Sequence, residues 1–272
     1  MTSALPAKEL LQSQAEWLAP ARARLLRRVG IARRRRILDL GAGYGAVTGE
    51  LVRRGGGFVA ALDTSTSSVT AISSPAFPLC GDALSLPFAD ESFDLVFCQC
   101  VLMWVTSTGS VTATSTGSVT VTSTGSVTAT STGSVTATST GLATAVSEIY
   151  RVLEPNGVLI ALEPDYAGMI EHPPEIGTRE IWLSALTRAG AETHVGRKLP
   201  GLLTAQGFDV RVDLLDSVKM PSSTRLDFLR TLSLLPEEMS TLDRVMTVTD
   251  NLTGTWEQVA HLPFFLISAT KF

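Results

Sequence analysis

The sequence is poor in cysteine, in long apolar runs and in excess charge of either sign. Its 272 residues include three cysteines, too few for a disulfide framework, and no secretory leader is recognisable, so a reducing cytoplasm is expected. No uninterrupted apolar stretch reaches the roughly 18–20 residues that span a bilayer. The formal net charge of −4 gives no electrostatic footprint for nucleic-acid binding. We therefore expect a globular protein whose partner is neither a membrane nor a nucleic acid.

Two short clusters raise the question of a metal or polyanion site. Cys98 and Cys100 flank Gln99, but no histidine or second cysteine pair stands nearby, so both are interpreted as structural and no metal is expected. Residues 33–36 are four consecutive arginines directly before an apolar run. A solvated connector is favoured for these arginines, and a polyanion site is the alternative.

Short apolar runs alternate with helical patterns along most of the chain. Strands are predicted at residues 36–40, 58–63, 77–80, 93–101, 158–163, 208–214 and 264–270. Helices are predicted at residues 46–54, 142–153, 176–188 and 199–206, and residues 5–29 suggest two short helices broken or kinked at Pro20. This alternation is typical of an α/β fold with a mostly parallel sheet, in which ligands bind beyond the carboxyl ends of the strands.

The first predicted strand leads into a glycine loop, "DLGAGYG", at residues 39–45. Glycines there allow a tight turn and let a ligand approach the bare backbone. Gly41, Gly43 and Ala46 fit the dinucleotide pattern G-x-G-x-x-A, and Asp63 stands at the end of the second strand, where a carboxylate can bind a ribose. The loop alone therefore does not decide between NAD and another adenosine ligand.

Three further features favour a different adenosine ligand. Asp39 places a carboxylate just before the first glycine, where it would repel a pyrophosphate and attract an ammonium group. Asp82 ends the third strand, where it can accept a hydrogen bond from an adenine amino group. The turn before the fourth strand is acidic and lacks a second glycine finger. A ligand with adenine, ribose and an amino-acid end, such as S-adenosylmethionine (SAM), fits these groups, and an NAD(P)-dependent oxidoreductase is disfavoured.

The sequence resembles the class I SAM-dependent methyltransferases, most closely the small-molecule branch that includes the ubiquinone- and menaquinone-pathway enzymes. The matching stretches are "ILDLGAGYGAVTGEL", "ALD", "GDALSLPFADESFDLVFCQ", "EIYRVLEPNGVLIALEP" and "LISATK". They occur in order and cover most of residues 37–105 and 142–164. The resemblance implies a doubly wound, Rossmann-like α/β sheet of strand order 3-2-1-4-5-7-6, mostly parallel with an antiparallel last strand. It also implies methyl transfer from SAM to a small-molecule acceptor.

The resemblance implies a set of cofactor-binding residues. They are Asp39, Gly41, Ala42, Gly43, Gly45, Asp63, Thr64, Asp82, Ala83 and Gln99. Asp39 and the glycine backbone would hold the methionine end, with Thr48 as a further donor, and Asp63 would bind the ribose hydroxyls. Asp82 and the Ala83 backbone would bind the adenine, and Gln99 would lie beside the sulfonium. The alternatives are a capping or turn carboxylate for Asp39 and a buried polar residue for Gln99.

No catalytic motif is recognisable, and none is required. Methyl transfer from a sulfonium needs no acid for its leaving group, and a base only when the acceptor is a hydroxyl or similar acid. The stretch "LEPDYAGMIEHPPEIG" after the fifth strand is the expected source of a base, with His172 and Tyr166 as weak candidates. An exposed loop histidine is the alternative for His172. Trp17 and Tyr44 could close over the ligand, although Trp17 is equally explained by helix packing.

An octapeptide repeat occupies residues 106–141 and contains no charge, aromatic ring or proline. Ordering this segment would cost more backbone entropy than its few valines return, so a mobile excursion is expected, with short hairpins as the alternative. The repeat divides the chain into N-terminal helices (1–35), a SAM-binding half (36–105), the insertion (106–141) and a second half with substrate-side helices (142–272). The competing functional hypothesis is an inactive, methyltransferase-like module that acts through this repeat.

Overall fold

A computed structural model describes residues 6–73, 75–105, 120–121, 127–128, 140–218 and 224–272. The helices are α1 Lys8–Arg28, α2 Thr48–Arg54, α3 Thr66–Thr70, α4 Thr140–Val152, α5 Arg179–Arg188, α6 Val195–Gln206, α7 Thr224–Arg230 and α8 Pro236–Asn251. The strands are β1 Arg36–Leu40, β2 Phe58–Asp63, β3 Phe77–Cys80, β4 Phe93–Gln99, β5 Thr120–Val121, β6 Val127–Thr128, β7 Leu153–Pro164, β8 Ile170–His172, β9 Phe208–Leu214, β10 Val259–His261 and β11 Phe264–Lys271.

Seven strands form one sheet in the order β3-β2-β1-β4-β7-β11-β9. The first five of these strands pair in parallel, and β11 runs antiparallel to both β7 and β9. When only the seven strands of this sheet are numbered along the chain, β7, β9 and β11 become strands 5, 6 and 7, and the order is 3-2-1-4-5-7-6. The predicted α/β fold, strand order and antiparallel last strand are therefore confirmed. Strands β8 and β10 form a separate antiparallel pair.

Helices cover both faces of the sheet. Alternate side chains of β1, such as Ile37 and Leu38, enter two separate cores. One core contains α1 and α2, and the other contains α4, α5 and α6. Burial on both faces explains why the central strands read as continuous apolar runs rather than as alternating ones. It also leaves the carboxyl ends of the strands as the edge at which a ligand can bind.

The N-terminal helix differs from the prediction. Helix α1 is continuous over 21 residues, with Pro20 inside it, so the prediction of two short helices was wrong. A proline removes one helical hydrogen bond and crowds the preceding turn. Here Pro20 faces solvent, while Leu18, Leu25 and Leu26 on the opposite side are buried against the sheet. Tertiary packing therefore holds the helix together across the proline.

Three element boundaries also differ. Strand β4 ends at Gln99, because Cys100 adopts a left-handed conformation with φ +57°. Strand β7 begins at Leu153, so the "EPNG" turn lies within an irregular start of that strand. The predicted helix at 176–188 consists of a short 3-10 turn, Pro174–Ile176, followed by α5. These shifts move the end of β4 by two residues and leave the ends of β1 and β2 where the sequence placed them.

Most of the octapeptide repeat lies outside the described residues, so the predicted excursion is not addressed by the structure. The described backbone of β5 and β6 pairs antiparallel at four residues, in agreement with the hairpin alternative at those positions. In the described part of the chain, no helix has both the length and the apolar character required to cross a membrane.

Candidate active site

The glycine loop turns sharply out of β1. Gly41, Gly43 and Gly45 have φ values of +70°, +52° and +80°, a region that favours glycine. The backbone NH groups of Gly41 and Ala42 donate to the carbonyl of Leu62 at 2.8 and 3.0 Å, and that of Gly45 donates to the carbonyl of Ala42 at 2.8 Å. These three NH groups are therefore already used, and a ligand would meet carbonyl oxygens and bare α-carbons of the loop.

Gly41 leaves no room for a side chain. A β-carbon built at this position would lie 2.3 Å from Cγ2 of Val101, which packs over the loop. We expect Gly41→Ala to lose about 1–3 kcal/mol of unfolding free energy because it adds both a clash and an unfavourable φ. Urea unfolding measures this loss.

Gly201→Ala is the matched control. Gly201 lies inside α6 with no heavy atom within 4 Å of its added β-carbon. This variant should gain about 0.5–1 kcal/mol from helix propensity. A neutral Gly41→Ala variant would show that the loop is not held in the conformation described.

Asp39 is a buried carboxylate beneath the glycine loop. It is 3% exposed, and its Oδ2 accepts a hydrogen bond of 2.6 Å from the hydroxyl of Thr48 in α2. Burial raises the pKa of Asp39 to about 6, while the Thr48 hydroxyl and the charge of Arg22 oppose that rise. The ionised carboxylate is therefore unfavourable in the ligand-free protein, and a cationic ligand group would stabilise it.

Arg22 of α1 is a site residue that sequence reasoning missed. Its guanidinium is almost fully buried and forms a salt bridge of 2.7 Å with Glu50 of α2. Its Nη1 also donates to the side-chain oxygen of Gln99 at 3.0 Å and to the backbone carbonyl of Ala15 at 2.8 Å. One cation thus joins α1, α2 and the end of β4 beside Asp39. The available signal was its place on the apolar stripe with Leu18 and Leu26, where a charge is rare.

A cavity of about 350 Å³ opens between α1 and α2 next to this cation. Its lining includes Arg22, Glu50, Gly45 and Gly49. Burial opposes ionisation of Glu50, but hydrogen bonds from Arg22 and Arg54 outweigh it and lower the pKa of Glu50. The wall of the cavity therefore carries the buried cation Arg22 together with its partly buried partner Glu50.

Asp63 ties the end of β2 to the glycine loop. Its Oδ2 accepts from the backbone NH of Gly43 at 2.9 Å, and its Oδ1 accepts from that of Ser65 at 2.9 Å. Each carboxylate oxygen can accept a second hydrogen bond, so the predicted ribose contact remains geometrically open. Thr64 beside it is exposed.

The predicted adenine residues lie in the turn after β3. Asp82 is exposed, and its Oδ1 accepts from the backbone NH of Leu84 at 2.9 Å, whereas Ala83 is buried. The NH of Gly81 donates to the carbonyl of Asp63 at 3.0 Å. The structure therefore places Asp63, the predicted ribose-binding residue, and Asp82, the predicted adenine-binding residue, at the ends of neighbouring strands. Their contacts with a cofactor remain predictions.

Glu163 lies on the other side of the strand ends, at the end of β7. It is fully buried, and its Oε1 accepts from the NH groups of Val101 and Leu102, each at 3.0 Å. Burial raises the pKa of Glu163 to about 7 against these hydrogen bonds. Within the described residues its Oε2 has no hydrogen-bond partner. Glu163 thus holds the loop after β4 and keeps one oxygen for another group.

The two weak catalytic candidates differ in their surroundings. Tyr166 is buried and stacks on Trp182 with ring centroids 5.1 Å apart, and burial raises its pKa, so its hydroxyl stays protonated at neutral pH. His172 is exposed in β8 and pairs with Val259. His261 is the buried histidine of the β8–β10 pair, and burial lowers its pKa.

The remaining predictions concern aromatic closure and metals. Trp17 packs edge-to-face on Phe264 with centroids 5.2 Å apart, which agrees with the helix-packing alternative. Tyr44 is partly buried in the glycine loop. Cys98 is buried in the sheet, and the described residues contain no group of three or more histidine, cysteine, aspartate or glutamate side chains arranged to hold a metal.

Comparison with known proteins agrees with the fold described above. A family model described as a methyltransferase domain matches residues 38–116. A demethylmenaquinone methyltransferase of Corynebacterium urealyticum is 45% identical over 76 residues, which are 28% of this chain and 33% of that protein. The chain thus matches about a third of the length of this curated relative.

Solved structures share the fold over nearly the whole chain. The YcgJ protein of Bacillus subtilis superposes with a TM-score of 0.57 at 15% identity, covering 93% of this chain and 98% of that one. A sarcosine dimethylglycine methyltransferase, described as putative, from Galdieria sulphuraria gives 0.53 at 18% identity, covering 98% and 91%. A phosphoethanolamine N-methyltransferase of Haemonchus contortus in complex with SAM gives 0.52 at 17% identity, covering 93% and 52%.

These likenesses indicate the class of protein that the chain resembles. The chain has a Rossmann-like α/β fold shared with solved methyltransferase structures, and residues 38–116 match a model of a methyltransferase domain. The resemblance stated from the sequence motifs is therefore confirmed.

Proposed function

We propose that the protein is an enzyme that transfers a methyl group from SAM to a small-molecule acceptor. The observation that carries this proposal is the buried Asp39 carboxylate beneath the glycine loop, close to the charge of Arg22. SAM ends in an α-amino acid, so its ammonium and carboxylate groups match Asp39 and Arg22 respectively. Loop carbonyl oxygens are further acceptors for the ammonium group.

A dinucleotide fits the same loop poorly. A pyrophosphate at a Rossmann loop is held by free backbone NH groups at the start of the following helix. Here the NH groups of Gly41, Ala42 and Gly43 donate to Leu62 and Asp63. The carboxylate of Asp39, just before the first glycine, would also repel a pyrophosphate. Both features support SAM over NAD(P).

The chain's own residues would bind SAM, orient the acceptor and accept a proton from it. Bound SAM supplies an electrophilic methyl group. Asp39, Arg22 and Gln99 would hold its methionine end, and Asp63 with Asp82 its nucleoside. Glu163 has a pKa near neutrality and one oxygen without a described partner, so it is suited to accept a proton from a hydroxyl or amine acceptor. This assignment replaces His172 as the favoured base, since the latter is exposed in β8.

Turnover separates this proposal from the inactive-module hypothesis, which none of the comparisons favours. Purified protein is incubated with SAM labelled in its methyl group and with phenolic, carboxylic and amine acceptors, and S-adenosylhomocysteine is quantified. Product formation that requires an acceptor supports the enzyme. SAM binding without turnover on any acceptor class would favour the binding module.

Asp39→Asn should stabilise the ligand-free protein and weaken its affinity for SAM. An aspartate titrates near pH 4 when unfolded, whereas burial raises the pKa of Asp39 to about 6 in the folded protein. Between these values the folded state binds a proton that the unfolded state has lost, so rising pH costs up to about 3 kcal/mol of stability. Asparagine does not ionise and avoids this cost.

Chemical unfolding at pH 4 and pH 8 checks this prediction. The two proteins should be similarly stable at pH 4, and the variant should be more stable at pH 8. SAM affinity, measured by calorimetry at pH 8, should fall because the ammonium group loses its carboxylate partner. A variant that is less stable at pH 8 and binds SAM normally would remove Asp39 from the site.

A further inference from the structure

Buried polar atoms without a partner are concentrated in one part of the described structure. We use the term cap for the described residues 165–194 and 224–261, which follow the end of β7. Among the described residues, the buried side-chain atoms without a hydrogen-bond partner are Glu163 Oε2, Asp165 Oδ1, Trp182 Nε1, Arg225 Nε, Arg225 Nη2, Thr249 Oγ1 and Gln258 Oε1. All belong to Glu163 or to the cap. Native proteins leave few such atoms, and binding of water or of a ligand commonly satisfies them.

Arg225 of α7 contributes two of these atoms. Its side chain is 16% exposed, and its Nη1 lies 3.2 Å from both Glu171 Oε1 and Thr178 Oγ1. The unpartnered Nε and Nη2 point along one edge of the planar guanidinium, away from Nη1. That edge presents two parallel N–H donors, the fork that carboxylates and phosphates bind in a bidentate manner.

Glu171 does not fully compensate the charge of Arg225. Its carboxylate also accepts hydrogen bonds from the NH and hydroxyl of Thr178 and from the NH of Arg179, at 2.7–3.0 Å. It therefore caps the start of α5, where the helix dipole already attracts a negative charge. Its single contact with Arg225 is long, and burial lowers the pKa of the guanidinium despite this neighbour. A second anion would be favourable at the unpartnered Nε–Nη2 edge.

A continuous set of contacts connects Arg225 to the strand ends. Thr178, which contacts Arg225, precedes α5, and Trp182 lies one helical turn further along, with its NH donating to the carbonyl of Thr178 at 3.0 Å. The Trp182 ring stacks on Tyr166, and Tyr166 lies close enough to Glu163 for the charge of that carboxylate to raise its pKa. A chain of neighbouring residues, Arg225, Thr178, Trp182, Tyr166 and Glu163, thus runs from the cation to the proposed proton acceptor.

We propose that the Nε–Nη2 edge of Arg225 binds a carboxylate or phosphate group of the acceptor, which is therefore an acidic small molecule. This inference rests on the proposed methyl transfer, because it assigns the residues between Arg225 and Glu163 to acceptor binding. Tyr166 and Trp182 are the aromatic residues between the two ends. The acceptor's anionic group lies at α7, and its reacting group lies near the end of β7.

Nuclear magnetic resonance of the full ¹⁵N-labelled chain tests the anion site directly. The Nε–H signal of Arg225 is assigned by its loss in Arg225→Lys, and the protein is titrated with benzoate, phenyl phosphate and neutral benzamide in the presence of S-adenosylhomocysteine. At least one anion should shift this signal saturably, and benzamide should not. The two anions distinguish a carboxylate site from a phosphate site.

Variants define the expected loss. Arg225→Gln should weaken binding of the preferred anion at least tenfold, and Arg225→Lys, which keeps the charge without the fork, should give an intermediate loss. Arg244→Gln is the matched control, because Arg244 is exposed on α8 and bonds to Thr241. Equal anion affinity in wild type and in both Arg225 variants would overturn the proposal, as would an equal shift with benzamide.

SAM calorimetry on the same samples keeps this inference separate from the proposed function. Wild type and Arg225→Gln should bind SAM equally, which also shows that the variant is folded. If Arg225→Gln does not fold, Arg225→Lys is tested instead. A loss of anion affinity below twofold in Arg225→Lys would contradict bidentate binding by the guanidinium. Failure of wild type to bind SAM would contradict the proposed function. SAM binding without any anion response at Arg225 would contradict this inference alone.

Discussion

Arg22→Ala is expected to lose about 3–5 kcal/mol of unfolding free energy and to weaken SAM binding more than tenfold. Removing one partner of a buried ion pair leaves the other charge uncompensated, and this cost exceeds the pair's own net contribution. In this protein Glu50 would keep only Arg54 as a cationic partner, and Gln99 and the carbonyl of Ala15 would lose a donor. The methionine carboxylate would lose its proposed partner as well.

Arg24→Ala is the matched control on the same helix. Arg24 and Asp216 are both more than 45% exposed and lie 2.9 Å apart, so their contact should contribute less than about 1 kcal/mol. Urea unfolding followed by tryptophan fluorescence measures both variants, and calorimetry measures SAM affinity. Equal, small losses in the two variants would show that Arg22 does not organise the site.

Asp63→Ala is expected to weaken SAM binding at least tenfold. The carboxylate holds the NH groups of Gly43 and Ser65, and it is the predicted partner of the ribose hydroxyls. Its removal therefore loosens the glycine loop and deletes the ribose contact together, and one charge-assisted hydrogen bond is worth roughly 1.5–3 kcal/mol. Calorimetric titration of SAM into both proteins measures the change in affinity.

Asp90→Ala controls for the loss of a carboxylate. Asp90 lies in the acidic turn before β4, its side chain is 75% exposed, and it pairs with Arg151. SAM should bind this variant with wild-type affinity. If Asp63→Ala also binds SAM with wild-type affinity, the ribose assignment is wrong.

The α/β class and the place of the glycine loop were predictable from the sequence pattern. Alternating apolar runs and helical patterns indicate an α/β sheet, and the glycine loop at 39–45 identifies the end of its first strand. The strand order and the antiparallel last strand came from the family resemblance rather than from periodicity. Helix α1 could not be predicted as a single helix, because the exposure of Pro20 depends on packing against the sheet.

The side chains that complete the site depend on contacts distant in sequence. Arg22 meets Gln99 across 77 positions, and Arg225 meets Glu171 across 54. No local sequence motif predicts such pairs. When one helix carries several arginines, each of them is normally interpreted as a solvated charge. His172 was favoured as a base because of its intrinsic pKa, but exposure distinguishes it from the buried Glu163. Burial decides which carboxylate has a shifted pKa, and burial cannot be seen in the local sequence.

The most direct test of the account is a calorimetric titration of SAM into the intact protein, with NAD⁺ as a parallel control. The arrangement of Asp39, Arg22 and Asp63 predicts binding of SAM in the micromolar range and no binding of NAD⁺. A folded protein that does not bind SAM, or that binds NAD⁺ instead, would contradict the assignment of the glycine loop to a methionine-bearing cofactor.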